Sequence, residues 1–248
     1  MSFTIAVSGK GGTGKTTFAG MIMRYLLENK KGPVLAVDAD ANANLHEVLG
    51  IEVKTTIGEM RELMKEEVPA GMTKDVWFEY KVHEALTEAK GFDLLAMGRP
   101  EGAGCYCAAN SLARKYIDLL TENYPYVVID NEAGMEHFSR LTTRDVDLLF
   151  ILSDSSRRGI LTAARIRDLI HELKLNISRE VLVLNRQCGP LSEDVMEVLQ
   201  QNSLDLGGLV PEDEEIYRFD LKGTPTLGLP KEAASVQAAW RIFDKYIV

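Results

Sequence analysis

The chain has 248 residues, 46% of them hydrophobic, and a formal net charge of −9. That length and apolar fraction suit one sizeable core, and the negative balance argues against a partner held by clustered lysine and arginine on a nucleic-acid backbone. The first eight residues show no basic leader pattern, no apolar run nears the roughly 20 residues of a membrane helix, and three cysteines cannot build a disulfide framework; the expectation is a cytoplasmic protein without membrane or nucleic-acid partners.

Short apolar or β-branched runs alternate with longer helical patterns, as in stacked βαβ units. The expected fold is α/β, one P-loop domain over 1–248 with a mainly parallel sheet of about seven or eight strands flanked by helices. In chain order the patterns predict a strand at Phe3 to Ser8, a helix at Lys15 to Glu28 and a strand at Pro33 to Asp38. A charged helical insertion over about 53–90 follows, then a strand at Phe92 to Met97, a loop over about 98–108 and a helix at Asn110 to Glu122. Strands at Tyr126 to Asp130 and Leu148 to Leu152 precede a helix at Arg157 to Leu173. A strand at Val181 to Asn185, a helix at Glu193 to Gln201, a strand at Leu206 to Val210 and a helix from about Lys231 to Tyr246 complete the series.

Between the first strand and the first helix stands Gly9-Lys10-Gly11-Gly12-Thr13-Gly14-Lys15-Thr16-Thr17, which has the G-x-x-x-x-G-K-[ST] spacing of a phosphate-binding loop. Glycines there let backbone N–H groups converge on phosphate oxygens, and the helix N-terminus adds positive potential. Lys15 would then support the β and γ phosphates and Thr16 would reach Mg2+. Two further segments end strands where open α/β sheets bind ligands. One is Val37-Asp38-Ala39-Asp40, the other Val127-Val128-Ile129-Asp130, an apolar strand closed by a carboxylate as in a Walker B motif. Each aspartate has an alternative use as a helix cap.

The extra Lys10 before the paired glycines resembles the deviant Walker A ATPases, which include nitrogenase iron protein, the Min and Par ATPases and nickel-insertion ATPases. The resemblance implies ATP/ADP with Mg2+ and a nucleotide-sandwich homodimer in which Lys10 crosses to the partner's phosphates. By the same resemblance Asp40 orients the attacking water, Asp38 lies nearer the Mg2+ shell, and 131–134 form a second switch. Ala41 stands where many relatives have proline. The strand ending Leu184-Asn185-Arg186-Gln187 lacks the Asn-Lys-x-Asp of many GTPases, which favours ATP. Asn185 and Arg186, with Pro211, Glu212 and Asp213, fall where this family packs adenine; strand-end turn chemistry is the other reading.

Gly104-Cys105-Tyr106-Cys107 places two thiolates within reach of one ion. Zn2+ or Ni2+ typically takes about four ligands, so a symmetric dimer would complete the set with one pair from each chain. Two packed or redox-inert cysteines are the alternative. With residues 110–114 and Glu132-Ala133-Gly134-Met135-Glu136-His137, this segment resembles the CooC-type maturation ATPases. That implies ATP-driven Ni2+ insertion into apo carbon monoxide dehydrogenase or acetyl-CoA synthase, with Zn2+ able to occupy the same thiolates in purified protein. An iron–sulfur carrier like nitrogenase iron protein and a Min- or Par-like positioning ATPase are the rival readings. His46 and His137 stay open between relay and surface roles, and Cys188 is expected to be a packed free thiol.

Overall fold

The uninterrupted run from Thr4 to Ser8 suits a strand covered on both faces, and it forms β1 (Phe3–Gly9) inside an eight-stranded sheet. The computed structural model describes residues 2–66, 68–98, 117–133 and 145–247. After β1 come α1 (Lys15–Glu28), β2 (Val34–Asp38), α2 (Leu45–Leu49), α3 (Ile57–Glu66), α4 (Lys74–Ala85), β3 (Thr87–Ala89), β4 (Phe92–Ala96) and β5 (Tyr126–Asp130). The second half holds β6 (Asp145–Val146), β7 (Leu148–Ser153), α5 (Arg157–Glu172), β8 (Asn176–Ile177), β9 (Glu180–Gln187), α6 (Glu193–Gln201), β10 (Leu206–Pro211), α7 (Glu214–Lys222) and α8 (Ala234–Tyr246). Residues 117–121 are also helical.

The main sheet runs β10-β9-β7-β1-β5-β2-β4-β3, parallel except for the antiparallel edge strand β3 on β4. Its two faces follow the period-2 alternation of the strands. Ile5, Val7, Val34, Ala36 and Val128 face α1 and α8, whereas Ala6, Leu35, Val37, Val127 and Ile129 face the opposite helices. On the first face Phe18 of α1 meets Phe150 of β7 at 5.3 Å and Phe243 of α8 at 5.2 Å between ring centroids, both edge-on. Fully burying such a ring contributes about 1.5–3 kcal/mol. This packing fixes α1, and with it the helix N-terminus that the phosphate loop enters.

All seven expected strands are present. The 53–90 insertion resolves into α3 and α4 followed by β3, and Thr73 caps α4 by accepting a hydrogen bond from Val76 N–H. The last helix begins at Ala234, later than Lys231. Lys231 lies in a turn after Pro230 and bonds Glu28 at 3.2 Å, so its side chain ties that turn to α1.

Candidate functional site

β1 lies between β5 and β7, and the register pairs Val7 with Asp130, Gly9 with Leu152 and Asp38 with Asp130. Strand alternation therefore sets Asp38 and Asp130 side by side on the α1 face, at the strand ends where the chain turns into the loop. Gly9 is required there. Its φ is 149°, and a Cβ would stand 2.2 Å from the Leu152 carbonyl oxygen. A Gly9→Ala protein is expected to lose about 1–3 kcal/mol of stability by forcing β1 and β7 apart, measurable as a lowered midpoint in urea.

The loop is braced from within by its own backbone. The Lys10 carbonyl accepts the Thr13 hydroxyl at 2.8 Å and the Thr13 N–H at 3.4 Å. Thr13 is buried, whereas the Lys10, Gly11 and Gly12 stretch is exposed. Gly14, at φ 83°, is the N-cap of α1 and supplies no side-chain cap. The first N–H groups of α1 are thus left for a ligand, the arrangement that makes a helix N-terminus an anion site.

Lys15, 8% exposed, starts α1. Burial lowers its pKa, while Asp130, Asp40 and Glu132 pull in the other direction. Its ammonium is 3.5 Å from the Lys10 carbonyl. Burial pushes Asp130 up to about 7, opposed by the Thr16 hydroxyl that hydrogen-bonds it. Asp130 Oδ1 is buried without a hydrogen-bond partner among the described residues. An orphaned buried carboxylate oxygen beside the Thr16 hydroxyl fits a hard divalent cation, so Asp130 and Thr16 are the groups that would hold Mg2+. Bound there with phosphate, the cation would supply charge neutralisation.

Asp38 behaves differently. Burial raises it to about 6, and its oxygens accept Asp40 N–H at 3.1 Å and Leu45 N–H at 2.8 Å. Asp38 thus braces the loop that carries Asp40 and launches α2. Asp40 Oδ1 accepts Asn42 N–H at 2.8 Å, and His46 is held by its ring nitrogen on the Ala43 carbonyl at 2.6 Å.

From Gly14 and Thr17 a cleft of about 710 Å³ opens along the ends of β9 and β10 to α7, lined among others by Asn185, Arg186, Pro211, Glu212 and Asp213. Every residue the sequence assigned to adenine therefore lines one cavity beside the phosphate loop. Asp213 has other work as well: Oδ1 accepts Glu215 N–H at 3.0 Å, and Oδ2 accepts the Ser235 N–H and hydroxyl at 2.9 and 2.8 Å. Burial alone would raise this carboxyl, yet those bonds hold it below its usual range. Arg186 takes a positive φ of 55°, an uncommon backbone state that re-aims the chain at the strand end.

The wall also includes residues the sequence did not assign to the cleft, among them Gln187, Cys188 and Tyr217. Cys188 corrects the expected packed thiol. It is exposed in the cleft and donates to Glu212 Oε2 at 3.0 Å, a bond that raises the thiol pKa. The strand runs two residues beyond the predicted Asn185 before the chain turns. Tyr217 sits on α7, whose Asp213 cap, acidic first turn and terminal Gly223 were readable start and stop signals.

Cys105, Cys107, residues 110–114, Gly134, Glu136 and His137 lie outside the described residues. Among the described residues no group of three or more His, Cys, Asp or Glu side chains is placed to hold a metal. Among them, too, no helix is long and apolar enough to cross a membrane.

Residues 4–227 match the CobQ/CobB/MinD/ParA nucleotide binding domain. The chain is 43% identical to an uncharacterized ATP-binding protein of Methanocaldococcus jannaschii, over 98% of each chain. It is 34% identical to the carbon monoxide dehydrogenase accessory protein CooC of Rhodospirillum rubrum, over 88% of this chain and 87% of that one. The solved MinD cell division protein of Aquifex aeolicus superposes with a TM-score of 0.72 over 98% and 96% of the two chains, at 21% identity.

Proposed function

Since the chain belongs to the CobQ/CobB/MinD/ParA nucleotide-binding family and is a P-loop ATPase, we propose that it couples ATP hydrolysis to insertion of Ni2+ into an apo-enzyme. The client chemistry is that of carbon monoxide dehydrogenase or acetyl-CoA synthase. The observation that carries this reading is the Cys105-Tyr106-Cys107 pair in a chain 34% identical to CooC. Thiolates are the soft ligands that suit Ni2+ and Zn2+, and two per chain call for a second chain to complete four. β4 is consistent with this reading: its last residue, Ala96, pairs with Asp38, so β4 ends at the same carboxyl end of the sheet as the strand that carries Asp38.

In this reading ATP and Mg2+ occupy the loop, Asp130, Thr16 and the cleft, and draw two chains into a homodimer. Lys10 crosses to the partner's phosphates, Asp40 orients water, and hydrolysis changes the spacing of the two cysteine pairs. The metal is cargo, taken up in one nucleotide state and released in the other.

The test is Ni2+ and Zn2+ content per chain, with mass by light scattering, for wild type and for a Cys105→Ser, Cys107→Ser double variant, with and without ATP or ADP. About one ion per two chains, confined to wild-type dimers and altered by nucleotide, is expected. Wild-type chains that hold no cysteine-dependent metal, yet sediment with liposomes or DNA in ATP, would overturn this in favour of a positioning ATPase. Bound iron would do so in favour of an iron–sulfur carrier.

A further inference from the structure

We infer that Asn185 is a positioning residue for the phosphate loop, acting through a hydrogen bond from its side-chain amide to the Thr13 carbonyl. The inference rests on the phosphate-loop reading and adds to the base contact that family resemblance places at this residue. Asn185 Nδ2 donates to Thr13 O at 2.8 Å, joining the end of β9 to a segment 172 residues earlier in the chain. The peptide it engages is the one that enters Gly14, the left-handed N-cap of α1. Because a trans peptide points its N–H opposite its carbonyl, drawing Thr13 O toward β9 turns the Gly14 N–H the other way. Asn185 also lies close against Gly14, where a Cβ would stand 2.7 Å from its Nδ2, so the contact depends on glycine at this position.

Among the bonds described for Thr13, this is the one that reaches outside the loop. Thr13 is tied to Lys10 by its own hydroxyl and N–H, bonds that lie wholly within the loop. Asn185 instead stands on a strand packed between β7 and β10, so it fixes the loop against the sheet. It also lines the cleft together with Gly14 and Thr17. With both amide hydrogens and one carbonyl oxygen available, and one donor spent on Thr13, the side chain keeps an acceptor for a base. One residue therefore couples the base end of the cleft to the phosphate end.

The two roles separate with a ligand that has phosphates and no base. Calorimetry of Mg-ATP and Mg-tripolyphosphate is compared for wild type, Asn185→Ser and Asn185→Leu, with ligand-free melting temperatures as the check on folding. Both variants are neutral, so neither adds charge near the phosphates, and either one that folds suffices. Tripolyphosphate affinity is expected to fall about tenfold, for one lost bond and an unpaired carbonyl, and ATP affinity by at least the same factor, any excess being the base contact. A loss of ATP affinity with tripolyphosphate untouched would make Asn185 a base reader alone and overturn the proposal. So would variants that match wild type on both ligands. A wild type that binds tripolyphosphate and not ATP contradicts the nucleotide reading while leaving the bridge open to the same comparison, which then decides it.

Discussion

An Asp130→Asn protein is expected to melt higher than wild type at pH 8 without Mg2+ and nucleotide, and to hydrolyse ATP about 10²-fold more slowly or worse. The two halves have one cause. Asp130 is 1% exposed, and its Oδ1 has no hydrogen-bond partner among the described residues. Its carboxyl is pushed by burial from 3.8 to about 7. A folded pKa above the unfolded one means that ionisation opposes folding. Its contribution to stability is therefore most favourable below about pH 4 and falls as pH rises toward 7, by about 1.4 kcal/mol for each pKa unit at most. Asp38, raised to about 6, works in the same direction. The empty wild-type protein should lose stability through this window, and D130N should flatten the profile. Mg-ATP, which favours the ionised carboxylate, should stabilise wild type increasingly as pH rises and D130N hardly at all. Thermal melts from pH 5 to 8, with and without Mg-ATP, test this; a variant less stable than empty wild type at pH 8 would show that the carboxylate is a structural support.

The strands around this carboxylate were legible because burial on both faces leaves an unbroken apolar signature, as in Val127-Val128-Ile129. The phosphate loop was legible because its spacing and its strand-to-helix context coincide. β3, only Thr87–Ala89, is too short and too exposed to carry a pattern, and the two-residue β6 and β8 owe their existence to each other across the fold. α7 buries none of its residues fully; its apolar face on the core is only Ile216 and Phe219, a short stripe, although its caps were readable.

Within the site, residue identity could be read and division of labour could not. Asp38 and Asp130 look equivalent as strand-terminal aspartates, yet one spends both oxygens on backbone N–H groups and the other leaves one oxygen without a partner among the described residues. Asn185 was legible as a cleft residue, but its bond to Thr13 depends on β9 and the loop meeting in space. Cys188 was misplaced for a similar reason. Whether a thiol after a strand packs inward or faces a cleft is decided by where the chain turns, and here it turns only past Gln187.

Lys10→Ala is expected to leave ATP affinity within about threefold of wild type while reducing hydrolysis by about 10³-fold, the scale of a cationic finger supplied to a phosphoryl-transfer site. The structure separates the two halves of this residue. Its carbonyl organises the loop through Thr13 and Lys15, and alanine keeps that carbonyl. Its side chain lies at the exposed end of the loop, whereas Lys15, the proposed phosphate ligand from within the same chain, is buried. Loss of rate with retained binding would still fit a role within one chain, so the deciding experiment is mixing. K10A is combined with Asp40→Asn, each inactive alone. In a mixed dimer the K10A chain keeps Asp40 and receives Lys10 from its partner, so one of two sites works. Random pairing makes half the dimers mixed, and about a quarter of the wild-type rate should return. If no rate returns although light scattering shows dimers, Lys10 acts on its own nucleotide, and the case for a sandwich dimer loses its main support.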